Sequence, residues 1–262
     1  MDKMLEAKLQ QIKDYVQSEG ITVRIERDSG LSLGNPGIYK DGLIKIFDRL
    51  PLELVPEAEA HELCHAILEY RGALGLGINN AFGGVSFSGK PSAAVVENFV
   101  KQMAELDFGG ECDFDEEEEE KKDDYSDLSA KISNAIHHKV MMPLLYNDFG
   151  IVPHAYYALM QMWLDKTEIE IVNHDHGQIV NYTNGVFLYD ISNVLPSESE
   201  KISNIAKLNP DAEKAYLASK AYLDRIDVSV SLTDQFKVVS EFLRVLDIEP
   251  ERFVIYNFYH RE

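Results

Sequence analysis

The residues best suited to chemistry stand together at His61-Glu62-Leu63-Cys64-His65. Positions four apart on an α-helix share a face, one turn above each other, so His61 and His65 can turn ring nitrogens toward one ion. Two such imidazoles plus a third protein ligand suit zinc and leave one coordination position for water, whose pKa the ion lowers toward 7. Glu62, next to the first ligand, is placed to take that water's proton. The pattern is that of a metal-dependent hydrolase, with His61 and His65 as metal ligands and Glu62 as the catalytic base. Cys64 reads as a small apolar residue rather than a thiolate ligand.

The motif needs a helix, and its flanks predict one. Pro51 and Pro56 punctuate the approach, Glu57 and Glu59 put negative charge near the positive end of the helix dipole, and Arg71-Gly72 supplies a stop. Upstream, Leu5, Leu9, Ile12 and Val16 recur at helical spacing before Gly20. Ile21, Val23 and Ile25 then alternate with Thr22, Arg24 and Glu26 as in a half-buried strand. Ile38-Tyr39 and Leu43 to Phe47, joined at Asp41-Gly42, predict a hairpin ahead of the metal helix. An edge strand beside such a site could hold an extended peptide by strand addition.

This order of elements, with "GIYKDGLIKIF" followed by "EAEAHELCHAILEYRG", resembles the ImmA/IrrE-like metallopeptidases over roughly residues 5–105. The resemblance implies an α+β fold with a zincin-like core, a small sheet plus active-site helices. It implies an intracellular zinc endopeptidase whose third ligand is acidic and whose protein substrate is a DNA-binding repressor, in phage, mobile-element or stress responses.

For the third ligand the chain offers several residues. Glu97 is the one acid in the first three turns of the apolar helix predicted from Ser92, and a carboxylate buried there calls for a compensating cation. With His61 and His65 it completes the expected metal set. Asp127, His137 and His138 are the alternatives; His137 and His138 point about 100° apart on a helix, so at most one faces the metal, and one of them could instead stabilise an oxyanion.

The whole chain frames the site. Its 262 residues can bury a sizeable core, and a net charge of −20 argues against nucleic acid or an anionic membrane as a direct partner. Cys64 and Cys112 form no metal-binding or disulfide pattern, no long apolar run is present, and the charged start lacks a signal-peptide pattern. A cytoplasmic protein is expected. From Glu111 to Asp127, eleven acids against two lysines predict a solvated, flexible loop over 109–127.

The expected organisation is a metallopeptidase-like domain over 1–166 and a C-terminal α+β region over 167–262, suited to substrate docking or sensing. In the latter, 168–191 reads as a strand meander with turns at Asp175-His176-Gly177 and Asn184-Gly185, followed by helices over 210–226 and 233–246 and a closing strand. A non-catalytic, metal-dependent sensor or binding module is the alternative function. It is disfavoured because metal held only for stability needs no carboxylate beside the ligand.

Overall fold

The computed structural model describes residues 3–79, 116–173, 177–257 and 259. It is a mixed α+β fold, mostly helical, with a small sheet. Helix α1 (Lys3–Ser18) buries Leu9, Ile12 and Val16, and Gly20, at φ +72°, turns the chain out of it. Strands β1 (Arg24–Asp28), β2 (Gly37–Lys40) and β3 (Leu43–Phe47) form a three-stranded sheet in the order β1-β3-β2. The β2–β3 hairpin turns through Asp41 and Gly42, both at positive φ, as a tight two-residue turn requires. The first strand begins three residues later than its alternation suggests and is largely exposed, because it pairs only along β3.

Helix α2 (Val55–Tyr70) carries the HExxH motif. Pro56 sits in its first turn and Gly72, at φ +99°, follows its end. It is buried on nearly every side: all residues from Ala60 to Glu69 are out of solvent. A helix enclosed in this way must find a partner for each polar side chain it carries.

Strand β4 (Gly75–Ile78) follows, and then helix α3 (Glu116–Pro143). The acidic run from Glu116 to Asp127 is the beginning of this helix rather than a flexible loop. Glu and Lys are strong helix formers, and acids at the amino end complement the helix dipole, which outweighs their mutual repulsion. Residues 109–115 of the expected loop lie outside the described residues. Pro143, unable to donate a backbone hydrogen bond, marks the change to a π-helical turn at Leu144–Asp148.

Helices α4 (His154–Asn173) and α5 (Gln178–Val194) replace the strand meander expected over 168–191, while Asp175 and His176 of the expected turn lie outside the described residues. Burial around most of α5 hides its helical period, since apolar residues line it on all sides. The Asn184-Gly185 pair is not a turn. Gly185 is where α7 (Pro210–Tyr222) passes: a Cβ there would lie 2.3 Å from the Ala212 carbonyl oxygen and 2.7 Å from the Ala215 Cβ.

The remaining helices are α6 (Ser199–Ala206), α7, capped by the Asn209 side chain on the N–H groups of Asp211 and Ala212, and α8 (Leu232–Val245), capped by Ser231. Strand β5 (Phe253–Tyr256) returns to pair antiparallel with β4. Beyond it, the Asn257 amide donates to the carbonyls of Glu69 and Ala73, tying the end of the chain to the end of α2. No helix among the described residues is long and apolar enough to cross a membrane.

Replacing Gly185 with Ala should destabilise the protein by about 1–3 kcal/mol, because the added methyl meets backbone that cannot move without parting α5 from α7. Urea denaturation measures this. A variant as stable as the parent would show that the helices do not approach as closely as described.

Candidate metal centre

His61 and His65, one turn apart on α2, turn their rings to the same point, with 3.2 Å between the two Nε2 atoms. Two imidazoles on one tetrahedral zinc, each at 2.0–2.1 Å, would hold their nitrogens about 3.3 Å apart. The pair is therefore spaced as ligands of one ion. His138 joins them from α3. The three buried side chains bring one ligand atom each to within 4.8 Å of one another and are close enough to bind a metal ion.

The surrounding hydrogen bonds assign the ring protons. His137 Nε2 is 3.2 Å from the Leu74 carbonyl oxygen, which can only accept, so that nitrogen carries the proton and Nδ1 is bare. His65 Nδ1 lies 3.1 Å from this bare atom and must donate to it, which leaves His65 Nε2 without a proton and facing His61. His138 Nδ1 donates to the Asp190 carboxylate at 2.8 Å, leaving Nε2 as its ligand atom. Two of the three candidate ligands thus have the outer partners that orient metal-bound imidazoles. On His61, Nδ1 is buried and has no hydrogen-bond partner among the described residues. The two Nε2 atoms, 3.2 Å apart, can share one hydrogen bond when His61 carries its proton there, and the same two atoms are spaced to ligate one cation; the donor set fits zinc.

Electrostatics point the same way. Burial, and then the neighbouring imidazoles, hold His61 and His65 well below the ordinary histidine range, and burial lowers His137 to about 4. At neutral pH these three rings are neutral, as metal ligation and its support require. Glu62 is buried, and burial raises its carboxyl to about 8, partly opposed by a hydrogen bond from the Tyr39 backbone N–H. Cys64 is fully buried, its thiol pushed up by the same cause, and it behaves as the apolar filler its position suggests.

A cavity of about 700 Å³ opens onto the cluster. His61, Glu62, His65, His137, His138 and Asp190 lie along it, with Gly37 to Asp41 on one side and Trp163 and Phe187 on another. Tyr156, in the first turn of α4, packs its ring at a 48° tilt against that of His61, centroids 4.3 Å apart, and sets its hydroxyl 3.2 Å from Nε2 and 3.4 Å from Nδ1 of His138. Its backbone N–H donates to Glu57 of α2 at 2.8 Å, which fixes the amino end of α4 beside the site.

Of the residues expected from the sequence, His61, Glu62 and His65 share this cavity. Glu97 lies outside the described residues. Asp127 is exposed, three helical turns from His138, and is not part of the cluster. His137 and His138 diverge as their helical positions require: one reaches the cluster and the other stands behind His65. Asp190 and Tyr156 were not anticipated. Asp190 did leave a signal, since it is the one acid in the apolar helix α5, the same kind of signal that singled out Glu97. Reading that segment as strands concealed it. Comparison with protein-family models, curated proteins and solved structures finds no match.

Asp190→Asn should weaken metal binding, read with added zinc, roughly 10- to 100-fold by loosening His138 while leaving the circular dichroism spectrum unchanged. Competitive chelator titration reads it, and unchanged affinity would remove Asp190 from the site. A second expectation concerns the metal-free protein and pH. A buried histidine with a lowered pKa is protonated first in the unfolded chain, so stability is full above about pH 6.5 and falls as pH drops toward the folded value, near 4 for His137. Glu62, raised to about 8, acts with the opposite sign, losing stability as pH rises. Denaturation in chelator at stepped pH, on a Glu62→Gln background that removes this opposing group, should show stability falling from pH 7 to 5. A flat profile would contradict burial of the neutral rings.

Proposed function

We propose that this chain is a zinc-dependent endopeptidase with a zincin-like core, which cleaves a protein such as a DNA-binding repressor in the manner its resemblance to the ImmA/IrrE-like metallopeptidases implies. The observation that carries the reading is the convergence of His61, His65 and His138 around one point, with Glu62 in the same cavity. His61, His65 and His138 would hold the ion, so the described residues supply a third ligand without Glu97. When bound, zinc polarises a carbonyl and brings a water's pKa toward neutrality.

The chain's own groups do the rest. A cation beside Glu62 would favour its ionised form against the burial that raises it, and a carboxylate there is suited to take a proton from water and hand it to the leaving amine. The Tyr39 N–H holds Glu62 in place. The Tyr156 hydroxyl can donate to an oxygen that gains negative charge. Among the described residues strand β2 is a sheet edge in the wall of the cavity, and an extended peptide could lie beside it.

Glu62→Gln should retain zinc and fold but lose hydrolysis by about a hundredfold or more, since the amide keeps the shape and cannot accept the proton. The inactive variant should then trap in cells a protein that the parent cleaves. If Glu62→Gln and the parent act alike in cells while the His61→Ala, His65→Ala protein does not, catalysis is not the function. Metal-dependent binding then becomes the better account.

A further inference from the structure

Two helical turns before His138, on the same face of α3, Lys131 opens into the same cavity. Its ammonium stands 3.4 Å over the ring of Phe187 and forms no ion pair among the described residues. The nearby carboxylates are otherwise engaged or in solvent: Asp190 bonds His138, Glu170 pairs with Lys166, and Asp127 is exposed. Burial draws the Lys131 pKa below the ordinary lysine range, so its charge lacks full compensation. Asn134, one turn on and without a hydrogen bond among the described residues, adds a polar group to this wall. A half-buried ammonium on an aromatic face, open toward a substrate cavity, is a receptor for an anion.

We propose that Lys131 binds a carboxylate of the substrate, so that the endopeptidase selects peptides with an acidic group at a set distance from the cleaved bond. The inference rests on the metal-centre reading and adds the substrate's chemistry to it. Lys131 and His138 are seven residues apart, about 10 Å along the helix, and an extended chain covers that distance in about three residues. The carboxylate therefore belongs to a side chain about three residues from the scissile bond, or to the peptide's own carboxyl terminus at that distance. The apolar wall of Trp163, Met160 and Phe187 takes the neighbouring side chains.

Trp163 is the only tryptophan in the chain and lies in this wall, so its fluorescence reports occupancy without turnover. The experiment titrates zinc-loaded Glu62→Gln protein with positional-scanning pools of octapeptides, one set blocked at both ends and one with a free carboxyl terminus. Pools with Asp or Glu at one position should bind best, about tenfold or more over their Asn and Gln counterparts. If the terminus is the source, the unblocked set wins instead. Lys131→Met should erase the preference while keeping the apolar ones, and Lys131→Arg should retain it. No preference for a carboxylate in either set, or a preference that survives Lys131→Met, overturns the proposal. The two readings fail separately. Acid-selective binding by a protein that hydrolyses nothing would remove the peptidase and spare Lys131, whereas hydrolysis blind to acidic residues would do the reverse.

Discussion

Three imidazoles brought to one point inside the protein constrain everything around them. Burial disfavours the charged forms of His61 and His65, and a ring nitrogen that does not face the shared point calls for a partner, which His65 and His138 have. These partners come from separate parts of the chain. The Leu74 carbonyl lies just past α2, His137 is on α3 and Asp190 on α5. Glu57 adds a contact from α2 to the start of α4, and Asn257 secures the end of α2 to the last strand. The helices are therefore fixed to the site as well as to the core.

The same constraint makes the centre directional. His137 passes the proton assignment from Leu74 to His65, so that the bare nitrogen of His65 faces inward. Asp190 does the same for His138. The inner nitrogens of His61 and His65 face each other at 3.2 Å, so a cation between them would be held by both. Glu62, buried beside them, gains from such a cation too, since a positive charge favours its ionised form against the cost of burial. The arrangement balances when a metal is present, and the supporting shell is already in place to receive it.

Local pattern carries much of this, and contact between distant elements carries the rest. The period of Leu9, Ile12 and Val16, the Asp41-Gly42 turn and the HExxH spacing are written in neighbouring residues, and they appear in the structure as α1, the hairpin and α2. That His138 rather than His137 meets the cluster depends on how α3 is rotated against α2, which no short stretch encodes. Asp190 lies more than fifty residues beyond its partner, in a helix whose all-round burial removes the alternation that would identify it. Gly185 resembles turn chemistry because glycine serves tight turns and close helix contacts alike, and only the position of α7 tells them apart.

The edge strand and Glu62 form one unit. A Cβ added at Gly37 would lie 2.8 Å from Oε1 of Glu62 and 2.9 Å from its Cγ, so the carboxyl occupies the space a side chain on β2 would take. Two residues on, Tyr39 gives its N–H to the same carboxyl. In the antiparallel pair β2–β3, residues two apart direct their backbone groups the same way, so the side of β2 turned away from β3 faces Glu62. The glycine at 37 is required by this close approach, since any side chain there would push Glu62 out of the place that Tyr39 secures.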